Sequence, residues 1–386
     1  MTLTCVTVGQ IDDLTIPVPG LFKGAEDGTE AYFDYVNSMG GVHGRRIRLD
    51  AQDSLFAGGT VATDAANEVK SDFAMVGGFS LLDSSEQPVI DLAHLPDIGF
   101  PLSVSLASDP NVYSPLPNAD EDEPLGFDQY LEKQFPEAVK HVGIIWENAT
   151  ASTVAAETAF ENAMKAVGFH IVYDRGAGPF ETSFLSDVLA MKADGVQMFF
   201  TQQLPDNYAA EVAQEMQQQN FHPINIEGAA YSDQLLKLGG SAVNGMYIVQ
   251  PYALFLGQDA STVPQVALFD KWMKIADPNA NFEIESIYGW TSAELFVDAL
   301  KAAGAQPTRA SLVAALDKIT HFDTDGMIPV SDPAQNVPDN CFLLAQVQDG
   351  KIVRVPPTPA TGFDCSSNSY LRAPGWAPEV RPASRS

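Results

Sequence analysis

VNSMGGVHGRRIRLD, residues 36–50, is the stretch whose reading decides the fold. Upstream of it, Phe22, Ala25, Thr29, Tyr32 and Val36 recur at steps of three and four, the spacing of one apolar helix face. Met39-Gly40-Gly41 stops that helix, because glycine accepts the left-handed backbone common at a helix C-terminus. Downstream, Arg46-Ile47-Arg48-Leu49-Asp50 alternates with period two, as a strand with one apolar face does. Val6-Thr7-Val8 supplies an earlier strand, so the chain opens strand, helix, strand.

The same alternation extends outward. A helix over 59–70 leads to the strand Ala74-Met75-Val76, which ends at Gly77-Gly78; a helix over 84–94 and an extended piece between Pro96 and Pro101 follow. A stretch rich in Pro, Asp and Glu (114–124) interrupts the pattern. It restarts at 141–146, a run apolar enough for a strand buried on both faces. Helices over 152–167, 183–193 and 207–219 then alternate with strands over 170–173, 196–201 and 245–249. Two such series predict an α/β protein of two doubly wound lobes. A third block (264–275, 286–303, 308–319) is helical with hardly a strand. It either forms a separate domain or returns to cover a sheet built earlier. A hairpin over 342–347 and 352–355 turns at Asp349-Gly350. Beyond Pro356 a loosely ordered tail is expected, apart from any tether through Cys365.

Composition narrows the function classes. Of 386 residues 45% are hydrophobic and 18% charged, enough apolar side chain for real cores and against overall disorder. No window approaches the roughly 18 consecutive apolar residues of a membrane span. The 21 Lys and Arg against 50 Asp and Glu leave a net charge of −29, which repels nucleic acid and anionic lipid alike. The same acidity also serves solubility, or a salty or extracellular habitat. Cys5 lies in an apolar run and reads as a small buried hydrophobe. Cys341 and Cys365 either close a loop over the final segment, which implies an oxidising compartment, or are two unrelated thiols. No signal-peptide pattern precedes Cys5, so the chain is either cytoplasmic, with Met1 its native start, or a secreted protein whose leader lies outside this sequence.

Catalytic signatures are missing from the sequence. It has no Gly-x-Ser-x-Gly elbow, no phosphate-binding Gly-x-x-x-x-Gly-Lys loop and no dinucleotide fingerprint. Its six histidines are scattered, and Asp120-Glu121-Asp122-Glu123 reads as a solvated acidic face rather than a metal loop. No cofactor and no metal are expected.

The leading segment resembles a family. Gly24, Asp27-Gly28 and Tyr32-Phe33, followed by Val36-Asn37 and the run Gly40-Gly41-Val42-His43-Gly44-Arg45-Arg46-Ile47, are similar to the opening signature of type I periplasmic solute-binding proteins, the leucine/isoleucine/valine-binding branch. Asp53, Val76 to Ser80, Gly143-Ile144-Ile145, Tyr288-Gly289-Trp290 and Gln348-Asp349-Gly350-Lys351 continue the likeness, in order, over about residues 4–355. The resemblance implies two lobes joined by three crossovers near 114–121, 249–255 and 325–331. Lobe 1 then comprises 1–118 and the helical return 253–327, lobe 2 comprises 119–252 and the returning hairpin 328–356, and 357–386 is the tail. Such proteins hold a solute between the lobes and present it to the permease of an ABC importer.

Carried over position by position, the resemblance places the ligand against Phe79, Ser80, Ser84, Ser85, Leu102 and Ser103 in lobe 1. In lobe 2 it implies Trp146, Thr150, Gln202, Glu227 and Gly228, with Tyr252 and Tyr288 as walls. Hydroxyls and loop amides of lobe 1 suit a ligand carboxylate, and Glu227 falls where the branch holds the ligand's ammonium. The implied ligand is an amino acid or related small carboxylate with an apolar side chain. Other roles stand beside these: Trp146 as core, Ser84 as a helix cap, Glu227 as a surface carboxylate, Tyr288 and Trp290 as packing residues. Two positions depart from the pattern, Val18-Pro19-Gly20 in the first turn and Val112-Tyr113 before the first crossover. The expected function is a non-enzymatic, extracytoplasmic solute receptor. Its rivals are an amide-sensor-like regulator of the same fold and a hydrolase with an interdomain site.

Overall fold

The computed structural model describes residues 4–15, 22–117, 122–178, 180–280, 282–335 and 338–372. The departing turn at 18–20 and part of the acidic run lie outside them. Strands β1 (Cys5–Asp12), β2 (Arg46–Asp53), β3 (Met75–Val76), β4 (Asp97–Ile98) and β5 (Val112–Tyr113) form an all-parallel sheet in the order β2-β1-β3-β4-β5. The GG segment shows why its residue types are needed. Gly40 and Gly41 have φ of 100° and 71°, and a Cβ on Gly41 would lie 1.9 Å from the Arg45 carbonyl oxygen. Asn37 at the helix end donates to the Ile47 carbonyl and accepts from the Ile47 amide, both at 2.8 Å, fixing the helix Lys23–Ser38 to β2.

Short β6 (Asp122–Pro124) precedes the second sheet. That sheet contains β7 (Val142–Glu147), β8 (Ile171–Ala177), β9 (Met198–Gln202), β10 (Ile224–Glu227), β11 (Tyr247–Gln250), β12 (Leu343–Gln348) and β13 (Lys351–Arg354). Its order is β13-β12-β11-β10-β9-β7-β8, parallel from β8 through β11 and antiparallel at β12 and β13. Ile144 and Ile145, both fully buried, face opposite cores, as the continuous apolar run requires.

The helical third block returns to the first sheet. Helix Ile284–Ala302 packs on helix Lys23–Ser38 and on β3 and β4. The two helices meet through glycines: a Cβ on Gly28 would lie 2.0 Å from the Ser286 carbonyl oxygen, and one on Gly289 2.0 Å from that of Ala25. Segments linking the sheets run side by side, with Ala253 N–H donating to the Met327 carbonyl at 2.8 Å and the Ser331 hydroxyl to the Pro115 carbonyl at 2.7 Å.

The segment after Pro356 is better held than its composition suggests. Through residue 372 it is tied down: β14 (Tyr370–Arg372) pairs antiparallel with β6, Asn340 donates to the Ser369 carbonyl at 2.6 Å, and Cys341 is disulfide-bonded to Cys365. Part of the acidic run read as a solvated face is thus a paired strand, because backbone groups of β14 satisfy those of β6.

Candidate ligand site

In open doubly wound sheets, ligands bind beyond the carboxyl ends of the strands, where the strand order reverses. The first sheet reverses between β1 and β3, and the second between β7 and β9. At the first switch point Asp12 ends β1, Asp13 follows it, and Phe79-Ser80 lie beyond β3; Glu147 and Gln202 end the strands at the second.

In the first sheet the loop donors are already spent. Asp12, fully buried, accepts from the Phe79 amide at 2.8 Å and from the Gln10 side chain at 2.9 Å. Asp13, also fully buried, accepts from the Ser80 hydroxyl and the Leu81 amide, both at 2.8 Å, and from the Ser54 hydroxyl. Asp83 accepts from the amides of Leu102 at 2.6 Å and Ser103 at 3.0 Å. Burial holds all three carboxyls above the usual carboxylate range, against these bonds. Ser103 Oγ caps the short helix Val104–Ala107 by accepting from Leu106 N–H. Ser84 is exposed and Ser85 half-buried, both in the 3-10 turn Asp83–Ser85; neither caps the helix Gln87–Ala93.

The second sheet presents its own carboxylates. Glu227, closing β10 and fully buried, accepts from the amides of Ala229 at 2.8 Å and Ala230 at 3.0 Å and from the Thr201 hydroxyl. Burial still pushes its carboxyl up to about 7. Gly228 lies beside Gln202, and its carbonyl accepts from Gln250 Nε2 at 2.9 Å. Gln203, in the next turn, has φ of 58°, a left-handed conformation uncommon for a side-chain-bearing residue. Trp146 donates its indole N–H to Asp174 at 2.8 Å and packs on the core of its own lobe. Its neighbour Glu147 is raised to about 7 by burial and by the charge of Asp13 on the first sheet. Thr150 caps the helix Ala151–Val167 in a capping box with Thr153.

The aromatic positions converge. Tyr288 stacks on Phe100 at 4.1 Å and on Phe79 at 5.4 Å; Phe22 meets Phe79 edge-on at 4.7 Å, and Tyr252 meets Tyr288 edge-on at 6.3 Å. Glu285, half-buried on the helix that carries Tyr288, is held well above its ordinary value by burial and then by Glu283, Asp206 and Glu147. The structure therefore brings Phe79, Tyr252 and Tyr288 together and places Gln202, Glu227 and Gly228 around β9 and β10. Trp146, Thr150, Ser80, Leu102 and Ser103 are engaged within their own lobes.

Sequence reading missed Asp13, Glu147, Asp206, Gln250 and Glu285. Position just after a strand could have flagged Asp13 and Glu147; nothing local marks the other three. A separate cavity of about 640 Å³, lined by Leu254, Leu256, Asp259, Ile352 and Arg354 among others, includes none of these residues.

The sequence matches the family described as "Periplasmic binding protein" over residues 5–351. Solved structures share the fold at low identity. A substrate-binding periplasmic protein from Ralstonia solanacearum superposes with TM-score 0.76 at 19% identity, covering 91% of this chain and 100% of that one. A fatty acid ABC transporter substrate-binding protein from Thermomonospora curvata gives 0.75 at 16%, covering 95% and 94%. The branched-chain amino acid transporter substrate-binding protein from Streptococcus pneumoniae, in complex with isoleucine, gives 0.72 at 14%, covering 91% and 100%. No curated protein matches the sequence. Among the described residues no helix is long and apolar enough to cross a membrane. From the matched family, the paired doubly wound sheets and the returning helices, it follows that this chain belongs to the periplasmic binding proteins and has their type I fold.

Proposed function

We propose that this protein is an extracytoplasmic, non-enzymatic receptor that closes its two lobes around a small amine-bearing solute and delivers it to an ABC importer permease. The observation that carries the reading is Glu227: a fully buried carboxylate at the end of β10, with hydrogen bonds from its own loop and from Thr201 but, among the described residues, no ion-pair partner. A buried carboxylate gains most from a cationic partner, and a ligand ammonium supplies one. The wall of Phe79, Phe100, Tyr252 and Tyr288 suits the apolar part of such a ligand. Of the amino-acid ligand that the resemblance implies, the ammonium and the apolar side chain find support. The carboxylate finds less, because the amides of Phe79, Leu81, Leu102 and Ser103 and the hydroxyl of Ser80 serve Asp12, Asp13 and Asp83.

The two rivals have no specific observation in their favour. A thermal-shift screen against amino acids, amines, amides and small carboxylates tests the reading. A ligand at about 100 times its Kd adds about 2.7 kcal/mol to stability, so an amine-bearing solute should raise the melting temperature visibly. Stabilisation confined to solutes without an amino group would remove Glu227 as an ammonium holder.

A further inference from the structure

Resting on the receptor reading, we propose that the cleft is built for an organic cation with amino groups at both ends and no carboxylate, an aliphatic diamine or longer polyamine.

The first observation is the distribution of charge. Asp13 follows β1 and Glu285 lies in the helix Ile284–Ala302, both of the first lobe, while Glu147, Asp206 and Glu227 come from strand ends and a helix start of the second. Their fields reach one another across the cleft: Asp13 acts on Glu147, and Glu147 and Asp206 act on Glu285. No ion pair among the described residues involves any of the five. Among the described residues no lysine, arginine or histidine is a leading cause of offset to their raised values. Like charges gathered into a half-buried space are costly unless a cation joins them.

The second observation is independent of charge. Gln250, 1% exposed, closes β11 beside Gly228, donates to the Gly228 carbonyl, and leaves its own Oε1 without a hydrogen-bond partner. Asp83 Oδ1, in the facing lobe's loop, is likewise buried and unpartnered. Both orphans are acceptors. A buried acceptor left unmade costs about 1–3 kcal/mol, and an ammonium, with three donors and no acceptor, is its complement. A ligand carboxylate brings only more acceptors.

The third concerns shape. Among the described residues no three His, Cys, Asp or Glu side chains converge closely enough to hold a metal ion. The carboxylates are spread over both lobes, which suits separated charges on one chain rather than a point charge. The stack of Tyr288 on Phe100 and Phe79 lies next to Glu285, whose charge acts on both Tyr288 and Tyr252. Methylene groups between two ammonium ends pack on such rings, and the ammonium itself is drawn to their faces.

Matched probes test the proposal by calorimetry on the full chain: cadaverine, lysine, which is cadaverine plus one carboxylate, and pentylamine, which lacks one amino group. Cadaverine should bind at least tenfold more tightly than either, with affinity falling between 20 and 200 mM salt on the order expected for ion pairing. Glu147→Gln and Glu285→Gln should each weaken cadaverine at least tenfold while leaving the ligand-free melting temperature unchanged or raised, a combination that misfolding cannot give. Tighter binding of lysine overturns the proposal and leaves the receptor reading in place; equal binding of pentylamine overturns the second amino group. If neither these probes nor any solute of the wider screen binds, both readings fall.

Discussion

At the residue scale, Glu227 separates structure from binding. Its carboxylate organises the loop at 228–230 by accepting from Ala229 and Ala230, and it receives the Thr201 hydroxyl. Glutamine can keep those amides with its carbonyl oxygen and turn its NH2 toward Thr201, whose hydroxyl also accepts. Glu227→Gln should therefore fold normally and weaken amine binding by roughly 2–5 kcal/mol, the range for removing one partner of a buried charge pair. Glu227→Ala should in addition lower the stability of the free protein, by about 1–3 kcal/mol per orphaned amide. Calorimetry paired with urea unfolding checks both; unchanged amine affinity in Glu227→Gln would take the residue out of the site. Glu227 was singled out through family resemblance. Asp206 and Glu285 were not, because a carboxylate lining a cleft and one facing solvent look alike in sequence; Glu147 was passed over although its place at a strand end could have flagged it. What sets these three apart is the action of charge between the lobes, on residues 79 to 138 positions apart in sequence.

At the scale of elements, the helix Lys23–Ser38 and strand β2 could be read directly, since apolar periodicity and the glycine stop were local. Of the two-residue strands, β3 was read as a strand ending at two glycines and β4 as an extended piece between two prolines, whereas β5 was not read, because two residues are too brief for periodicity. The pairing of β6 with β14 was invisible: it joins an acidic run to a proline- and serine-rich end, and backbone bonds rather than side-chain pattern hold it. Periodicity left the destination of the third helical block open and the resemblance assigned it to lobe 1; in the structure its long helix packs on Lys23–Ser38 at Gly28 and Gly289. A methyl group at Gly289 would strike the Ala25 carbonyl. Gly289→Ala should thus destabilise the fold by about 1–3 kcal/mol, an overpacking cost, in urea unfolding. A neutral result would mean that the two helices separate more readily than this contact allows.

Across the whole molecule, the shortage of cations shapes stability. Burial raises Glu68 to about 9, Glu157 and Glu294 to about 8, and Asp97 and Asp128 to about 7. Each folded value lies above that of the unfolded chain, so the folded state holds the proton more tightly. The associated stability is fully present below about pH 4 and is lost as pH rises through each folded value. Each group can remove up to about 1.4 kcal/mol per pH unit inside its window. Melting temperature should fall steadily from pH 5 to pH 9; a rise over that interval would show that these carboxyls are ionised in the fold. Ligand binding should run the opposite way. Glu147 and Glu227 are half-protonated near pH 7 in the free protein, so amine affinity should increase from pH 6 to pH 8 as both become anionic.

The central claim, two lobes that close on an amine, is tested most directly by small-angle X-ray scattering during a cadaverine titration. The radius of gyration should shrink saturably, with the same midpoint as the calorimetric isotherm, and should not change in Glu227→Gln at the same concentrations. A radius of gyration that stays constant while calorimetry reports saturation would contradict closure around the ligand and place the binding event elsewhere on the molecule.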